Sequence, residues 1–127
     1  MLLEVRLLLA IFAGGCAGAL ARSGLIELAP PHAGHWPWVT FGVNVAGAAL
    51  LGWIATRRAP ADRVRALVGT GFCGALTTFS TLQLELLGML DADRVGLAAA
   101  YAGGSVVAGL IGVTLGARAG PAPAVAA

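Results

Sequence analysis

An interrupted apolar segment near the middle of the chain limits the folds that this sequence can adopt. Residues 71–81 read Gly-Phe-Cys-Gly-Ala-Leu-Thr-Thr-Phe-Ser-Thr and lie inside a segment, residues 66–90, that is apolar enough to cross a membrane. Gly costs about 1 kcal/mol relative to Ala in a helix interior, and Thr and Ser offer the backbone competing hydrogen bonds. Non-helical backbone at membrane depth persists only where protein or water satisfies its polar groups. We therefore expect two half-helices that meet at a break within residues 74–78, next to a binding site or a pore.

The composition predicts an integral membrane protein. Of the 127 residues, 58% are hydrophobic and 11% are charged, whereas a soluble domain carries about 25% charged residues. The eight basic residues are all Arg, and no basic patch with interleaved aromatic side chains indicates nucleic-acid binding. We expect one all-α transmembrane domain over residues 1–119 and a disordered tail of Gly, Pro, Ala and Val over residues 120–127.

Four membrane spans are predicted, the third of them broken at its middle. They cover about residues 2–21, 39–56, 66–90 and 95–117. Each is close to the ~20 residues that cross the hydrocarbon core of a bilayer. Arg22 is expected to end the first span, either as an anchor at the membrane interface or as a charge that attracts anions towards a vestibule.

Small residues at a spacing of four predict close contacts between helices, because two backbones can then approach each other. The positions are Gly14 and Gly18 in the first span and Gly104, Ala108, Gly112 and Gly116 in the fourth. Cys16 and Cys73 also lie in apolar segments. We expect both cysteines to be buried, without a disulfide or a shared metal ion.

Polar side chains at membrane depth are the candidate functional residues. Asn44 is expected either to bond a neighbouring helix or to donate to a passing anion, and the sequence leaves these alternatives level. Glu85 is expected either as a residue near the interface with no further role, or as a gate or a helix-capping partner. The groups that offer partial positive charge through an N–H, an O–H or a ring edge are Asn44, Phe79, Ser80, Thr81 and Ser105. Such groups favour a small anion, which they can solvate without trapping.

Residues 71–81, followed by Glu85, resemble the signature of the bacterial Fluc (CrcB) fluoride channels. The resemblance extends to residues 14–19, Arg22, residues 40–47, Tyr101 and Ser105, and so covers all four spans. It implies a passive channel that lets toxic fluoride leave the cell across the bacterial plasma membrane. It also implies a dimer of antiparallel four-helix subunits with two fluoride pores.

The resemblance also implies roles for individual residues. Phe79 would line a pore with its ring edge. The other pore residues would be Asn44, Ser80, Thr81, Tyr101 and Ser105, with Arg22 and Glu85 at a vestibule or gate. A structural sodium ion (Na⁺) would lie at the dimer centre, bound by the backbone carbonyls of Gly74 and Thr77.

Two departures from the family pattern raise the hypothesis of a heterodimer with an oppositely oriented homologue. Leu82 stands where the family usually has a second Phe, and Leu offers no polarised ring edge. Six of the Arg residues fall on the N-terminal side of the predicted spans and two on the other side. This bias favours a cytoplasmic N-terminus, whereas a dual-topology protein should be nearly balanced.

Other functions remain open at this point. A small four-helix dual-topology drug or cation exporter would need a carboxylate inside the first span, where the only acid, Glu4, lies at the very end. A non-conducting subunit of a larger membrane complex would explain the small-residue spacing but not the broken helix. An enzyme is not indicated, because no nucleotide-binding loop and no catalytic set at membrane depth is found in the sequence.

Overall fold

The protein folds into helices that form four membrane crossings, as predicted. The computed structural model describes residues 1–57 and 62–120. The helices are α1 (Leu2–Leu28), α2 (Trp38–Thr56), α3 (Asp62–Val64), α4 (Gly74–Leu76), α5 (Phe79–Asp91) and α6 (Val95–Ala119), and a π-helical segment (Arg65–Cys73) joins α3 to α4. We call α3, the π-helical segment and α4 together the first half of the third span, and α5 its second half. Residues 121–127, nearly all of the predicted disordered tail, lie outside the described residues.

Within the described residues, α1, α2 and α6 are each long and apolar enough to cross a membrane unaided. The third span completes the set in two halves, with the expected interruption between α4 and α5. The fold class predicted from the sequence, an all-α membrane domain with a broken third span, is therefore confirmed.

The first span is longer than predicted. α1 continues to Leu28, so Arg22 lies inside this helix and does not end it, and the α1–α2 loop covers residues 29–37. A single charged residue can remain in a helix by extending towards the interface, whereas Pro30 is the first residue after it that opposes helical backbone. The prediction that the first span ends at Arg22 was wrong for this reason.

The break in the third span is narrower than predicted. Gly74 has helical dihedral angles (φ −62°, ψ −32°), and only Thr77 (φ −74°, ψ 148°) and Thr78 (φ −145°, ψ 122°) leave the helix. The expected break at Gly74 was therefore wrong, although its downstream end was correct. The π-helical turns before it were not expected from the sequence; such wide turns in other proteins frequently mark functional sites.

Close backbone contacts hold α1 against the first half of the third span. A Cβ atom at Gly14 would collide with the carbonyl oxygen of Leu67, and one at Gly18 would collide with that of Phe72. From the other side, a Cβ atom at Gly71 would lie 2.5 Å from the carbonyl oxygen of Ile11. The predicted packing role of Gly14 and Gly18 is confirmed.

A second set of close contacts holds α2 against α6. Cβ atoms at Gly52 and Gly116 would collide with the carbonyl oxygens of Val113 and Ala49, and one at Gly112 would lie 3.0 Å from that of Val45. The packing stripe predicted on α6 is therefore confirmed at two of its glycines. Gly104 instead lies against the indole of Trp36.

The two cysteines differ in exposure. Cys73 is fully buried as predicted, but Cys16 is exposed on α1, so the expectation that both are buried was wrong. Cys16 lies between Gly14 and Gly18 in sequence, and helical geometry turns it away from the face that packs against the third span.

Gly116 and Gly109 offer a matched test of this packing on one helix. Gly116→Ala would place a methyl group against the Ala49 backbone, whereas a Cβ atom at Gly109 meets nothing within 4 Å. We expect Gly116→Ala to destabilise the protein by about 1–3 kcal/mol, as overpacking does, and Gly109→Ala to leave stability unchanged or slightly raised. Thermal unfolding of both variants in one detergent measures this. Equal melting temperatures would contradict the packing argument.

Candidate functional site

The Asn44 side chain stabilises the break in the third span by hydrogen bonds to its backbone. Its Oδ1 accepts a hydrogen bond from the Thr78 backbone N–H (2.8 Å), and its Nδ2 donates to the Thr78 carbonyl oxygen (3.1 Å). Both backbone polar groups of a non-helical residue are thus satisfied by one side-chain amide. The helix-bonding alternative for Asn44 is confirmed. Because an amide carries two N–H donors, donation of the second to an anion stays a prediction.

Thr78 starts the second half of the span by capping α5. Its Oγ1 accepts from the Thr81 N–H (3.2 Å), donates to Thr81 Oγ1 (3.0 Å) and lies 3.3 Å from Ser80 Oγ. Thr78 itself is buried, with 8% of its surface exposed. Thr78 was not predicted as a site residue, although a Thr before the first turn of a helix is a common N-cap signal.

The end of α4 presents carbonyl groups without their usual helical partners. In a continuous helix the Thr78 N–H would bond the Gly74 carbonyl, but here it bonds Asn44. The Thr77 carbonyl accepts no hydrogen bond from the described residues, while the Thr77 N–H and Oγ1 both donate to the Cys73 carbonyl (3.0 and 2.9 Å). Free carbonyl oxygens are suitable ligands for a hard cation, so the donor set at Gly74 and Thr77 fits Na⁺.

Glu85 joins three helices. Its carboxylate accepts hydrogen bonds from Thr40 Oγ1 on α2 (2.5 Å) and from the Tyr101 hydroxyl on α6 (2.7 Å). Thr40 and Tyr101 are almost completely buried, with exposures of 1% and 0%. The Tyr101 hydroxyl therefore makes a hydrogen bond across a helix interface, while its role in the pore stays a prediction. Glu85 caps no helix, and its role at a gate stays a prediction.

A recess connects Glu85 to the α1–α2 loop. Its volume is about 320 Å³, and it is lined by Thr81 and Glu85 from α5 and by His32 and His35 from the loop, among other residues. Both histidines are exposed. The recess therefore gives the hydroxyl of Thr81 and the carboxylate of Glu85 a shared path from the loop side of the protein.

The structure brings some predicted site residues together and leaves others apart. Asn44, Ser80 and Thr81 surround Thr78 at the break, and Thr81 shares the recess with Glu85. Phe79 follows Thr78 directly but is 73% exposed on the surface of the subunit. Arg22 lies on α1, and its Nε is buried without a hydrogen-bond partner among the described residues.

Comparison with known proteins gives consistent results across the chain. The sequence profile described as "CrcB-like protein, Camphor Resistance (CrcB)" matches residues 9–117. A Mycobacterium bovis protein named "Fluoride-specific ion channel FluC 1" is 51% identical over 116 residues, which cover 88% of each chain. A Novosphingobium aromaticivorans protein named "Fluoride-specific ion channel FluC" is 42% identical over 110 residues, which cover 81% of this chain and 86% of the relative.

A third relative shows a similar degree of identity. The Lactiplantibacillus plantarum protein named "Fluoride-specific ion channel FluC 1" is 44% identical over 108 residues, which cover 82% of this chain and 90% of the relative. The matched residues span all four membrane crossings, including the break and the residues that surround it. The chain belongs to the CrcB-like family.

Proposed function

We propose that the protein is a fluoride-selective channel that exports fluoride passively across the bacterial plasma membrane. The observation that carries the proposal is the break at Thr77 and Thr78, which the Asn44 amide holds open at membrane depth. Relatives that match this region are named fluoride-specific ion channels. A channel needs no covalent chemistry, so the protein is not an enzyme.

The groups around the break have the chemistry that a small anion requires. Ser80 and Thr81 carry hydroxyl donors, Asn44 has a second amide hydrogen, and the exposed Phe79 ring has a positive edge. Such neutral donors replace the hydration shell of an anion, but they bind it more weakly than a buried cation would. Conduction needs this balance, because an ion that binds too tightly does not leave.

A dimer of antiparallel subunits would complete the path. The ring of Phe79 is exposed on the subunit surface, and Leu84 and Leu87 on the same helix are also exposed, at 69% and 55%. A second subunit would cover this surface and bring its own α5 close to the break. The arrangement of two subunits is part of the proposal.

The second subunit is either another copy of this chain or an oppositely oriented homologue. Leu82, where the family usually has Phe, packs against the buried cluster of Met89, Ala98 and Tyr101 inside the subunit. Some relatives carry the number 1 in their names and others the number 2, which supports paired genes. A non-conducting role for this chain within a heterodimer remains the second candidate function.

A structural Na⁺ at the dimer centre is also part of the proposal. The Gly74 and Thr77 carbonyls of each subunit would bind it, which would supply charge to the carbonyl groups that the break leaves without helical donors. The ion would stabilise the contact between subunits.

The small drug or cation exporter is the rival that the site supports least. Within α1 the acids are Glu4, whose exposed carboxylate lies 3.7 Å from the amino terminus, and Glu27, next to the other end of the helix. Neither carboxylate lies at the middle of the helix, where proton exchange against a cationic substrate would need it.

Ion efflux from liposomes that contain the purified chain alone tests the function. We expect rapid loss of fluoride, read with a fluoride electrode, and no matching loss of chloride. Equal loss of both ions, or of neither from a well-folded dimer, would contradict a fluoride-selective homodimeric channel. If co-expression with an oppositely oriented homologue restores fluoride loss, the heterodimer is supported.

Phe79→Ile tests the pore assignment of the exposed ring. Ile keeps an apolar side chain but removes the polarised ring edge, so we expect fluoride efflux to fall at least tenfold while the dimer stays assembled. Phe12→Ile is a matched control, because Phe12 is similarly exposed (71%) but lies on α1. Unchanged efflux in Phe79→Ile would remove this ring from the pore.

Sodium dependence of assembly tests the proposed cation. We expect the dimer to dissociate more readily when Na⁺ is replaced by the larger N-methylglucamine cation at equal ionic strength. The carbonyl oxygens would then lose the cation that they bind. Size-exclusion chromatography with light scattering measures the mass. A dimer of equal stability in both solutions would argue against a structural Na⁺.

A further inference from the structure

We call Glu85 and its hydrogen-bond partners Thr40 and Tyr101 the Glu85 cluster. Two buried hydrogen-bond donors lie close to this cluster without a partner among the described residues. They are the indole Nε1 of Trp36 and the hydroxyl of Ser105. Ser105 already belongs to the proposed pore, but Trp36 was not selected from the sequence. Buried polar atoms normally have partners, so each exception calls for an explanation such as a bound ion.

The backbone fixes the position of Trp36. The Trp38 N–H donates to the Trp36 carbonyl oxygen (3.0 Å) across Pro37, whose dihedral angles (φ −85°, ψ 82°) are those of an inverse γ-turn. The Trp36 ring then packs edge-on against Tyr101, with centroids 5.3 Å apart, and against Phe41 at 5.4 Å. Its indole is therefore held in one place by rings from α2 and α6.

The indole and Ser105 are both neighbours of Tyr101 on α6. A Cβ atom at Gly104 would lie 3.2 Å from Cη2 and 3.7 Å from Cζ2 of Trp36, so the benzene edge of the indole rests on this turn. Ser105 follows Gly104 and is four residues after Tyr101, and residues at this spacing are neighbours on a helix surface. Both donors thus belong to residues that are next to Tyr101, one in the α1–α2 loop and one on the following turn of α6.

We propose that the Trp36 indole N–H is an additional anion-coordinating donor, which binds fluoride together with the Ser105 hydroxyl beside the Glu85 cluster. This inference rests on the proposed function of the protein. An indole nitrogen can only donate, and a serine hydroxyl can turn its hydrogen to the same point. A small anion accepts both hydrogen bonds at once, whereas a cation accepts neither. Fluoride would shed part of its hydration here before it reaches Thr81 and the break.

Efflux measurements on conservative variants test the proposal. Trp36→Phe keeps an aromatic ring against Tyr101 but removes the N–H, and we expect at least a tenfold slower fluoride efflux, as for loss of a hydrogen bond to a charged group. Trp38→Phe is the matched control, because Trp38 is 71% exposed, and it should transport fluoride like the parent. If the two donors bind one ion, Trp36→Phe combined with Ser105→Ala should be slower by less than the product of the single effects.

A spectroscopic measurement decides the case where Trp36→Phe fails to assemble. In the Trp38→Phe/Trp53→Phe protein, Trp36 is the sole indole, and fluoride should shift its emission saturably while chloride at equal ionic strength should not. No shift, or efflux from assembled Trp36→Phe equal to the parent, overturns the inference. If the parent itself passes no fluoride and the emission of the sole-indole protein is unchanged, the proposed function fails as well, which separates the two failures.

Discussion

The pair of hydrogen bonds between the Asn44 amide and the Thr78 peptide is the interaction on which the rest of the site depends. In a lipid environment an unsatisfied backbone group costs several kcal/mol, so a helix cannot simply stop at membrane depth. By satisfying both polar groups of Thr78, Asn44 allows two residues of extended backbone to persist there. The same interaction diverts the Thr78 N–H from the Gly74 carbonyl and so creates opposite chemistry on the two sides of the break: free carbonyls before it and hydroxyl donors after it.

The glycine contacts explain how such a small protein holds Asn44 at the required distance. Gly116 and Gly52 bring α2 and α6 into backbone contact, while Gly14 and Gly18 do the same for α1 and the first half of the third span. The hydrophobic effect supplies little force between helices in lipid, so close packing must supply it. The helices are then near enough for the short side chains of Asn44 and Thr40 to reach the third span directly.

Glu85 adds a second fixed point, at the end of the site that faces the α1–α2 loop. Its carboxylate binds Thr40 and Tyr101 and so joins α5 to α2 and α6. A carboxyl group is tolerated at this position because the buried hydroxyls of Thr40 and Tyr101 donate hydrogen bonds to it. The cluster also orders the aromatic rings of Trp36 and Tyr101, which places unpartnered donors of the loop and of α6 beside the path to the break.

The sequence by itself determined the four crossings, the interruption of the third and the close packing at Gly14, Gly18, Gly112 and Gly116, because hydropathy, helix-breaking residues and small-residue spacing are local properties. It did not determine that α1 continues past Arg22, because a charged residue does not by itself end a helix. It also did not determine that Gly74 stays helical before the break. Only the tertiary structure decided that Asn44 bonds Thr78, that Glu85 binds Thr40 and Tyr101, and that the Trp36 N–H has no partner in the part of the chain that the structure describes. Each of these depends on which residues of separate helices meet, and that register follows from packing in three dimensions rather than from any pattern along one segment.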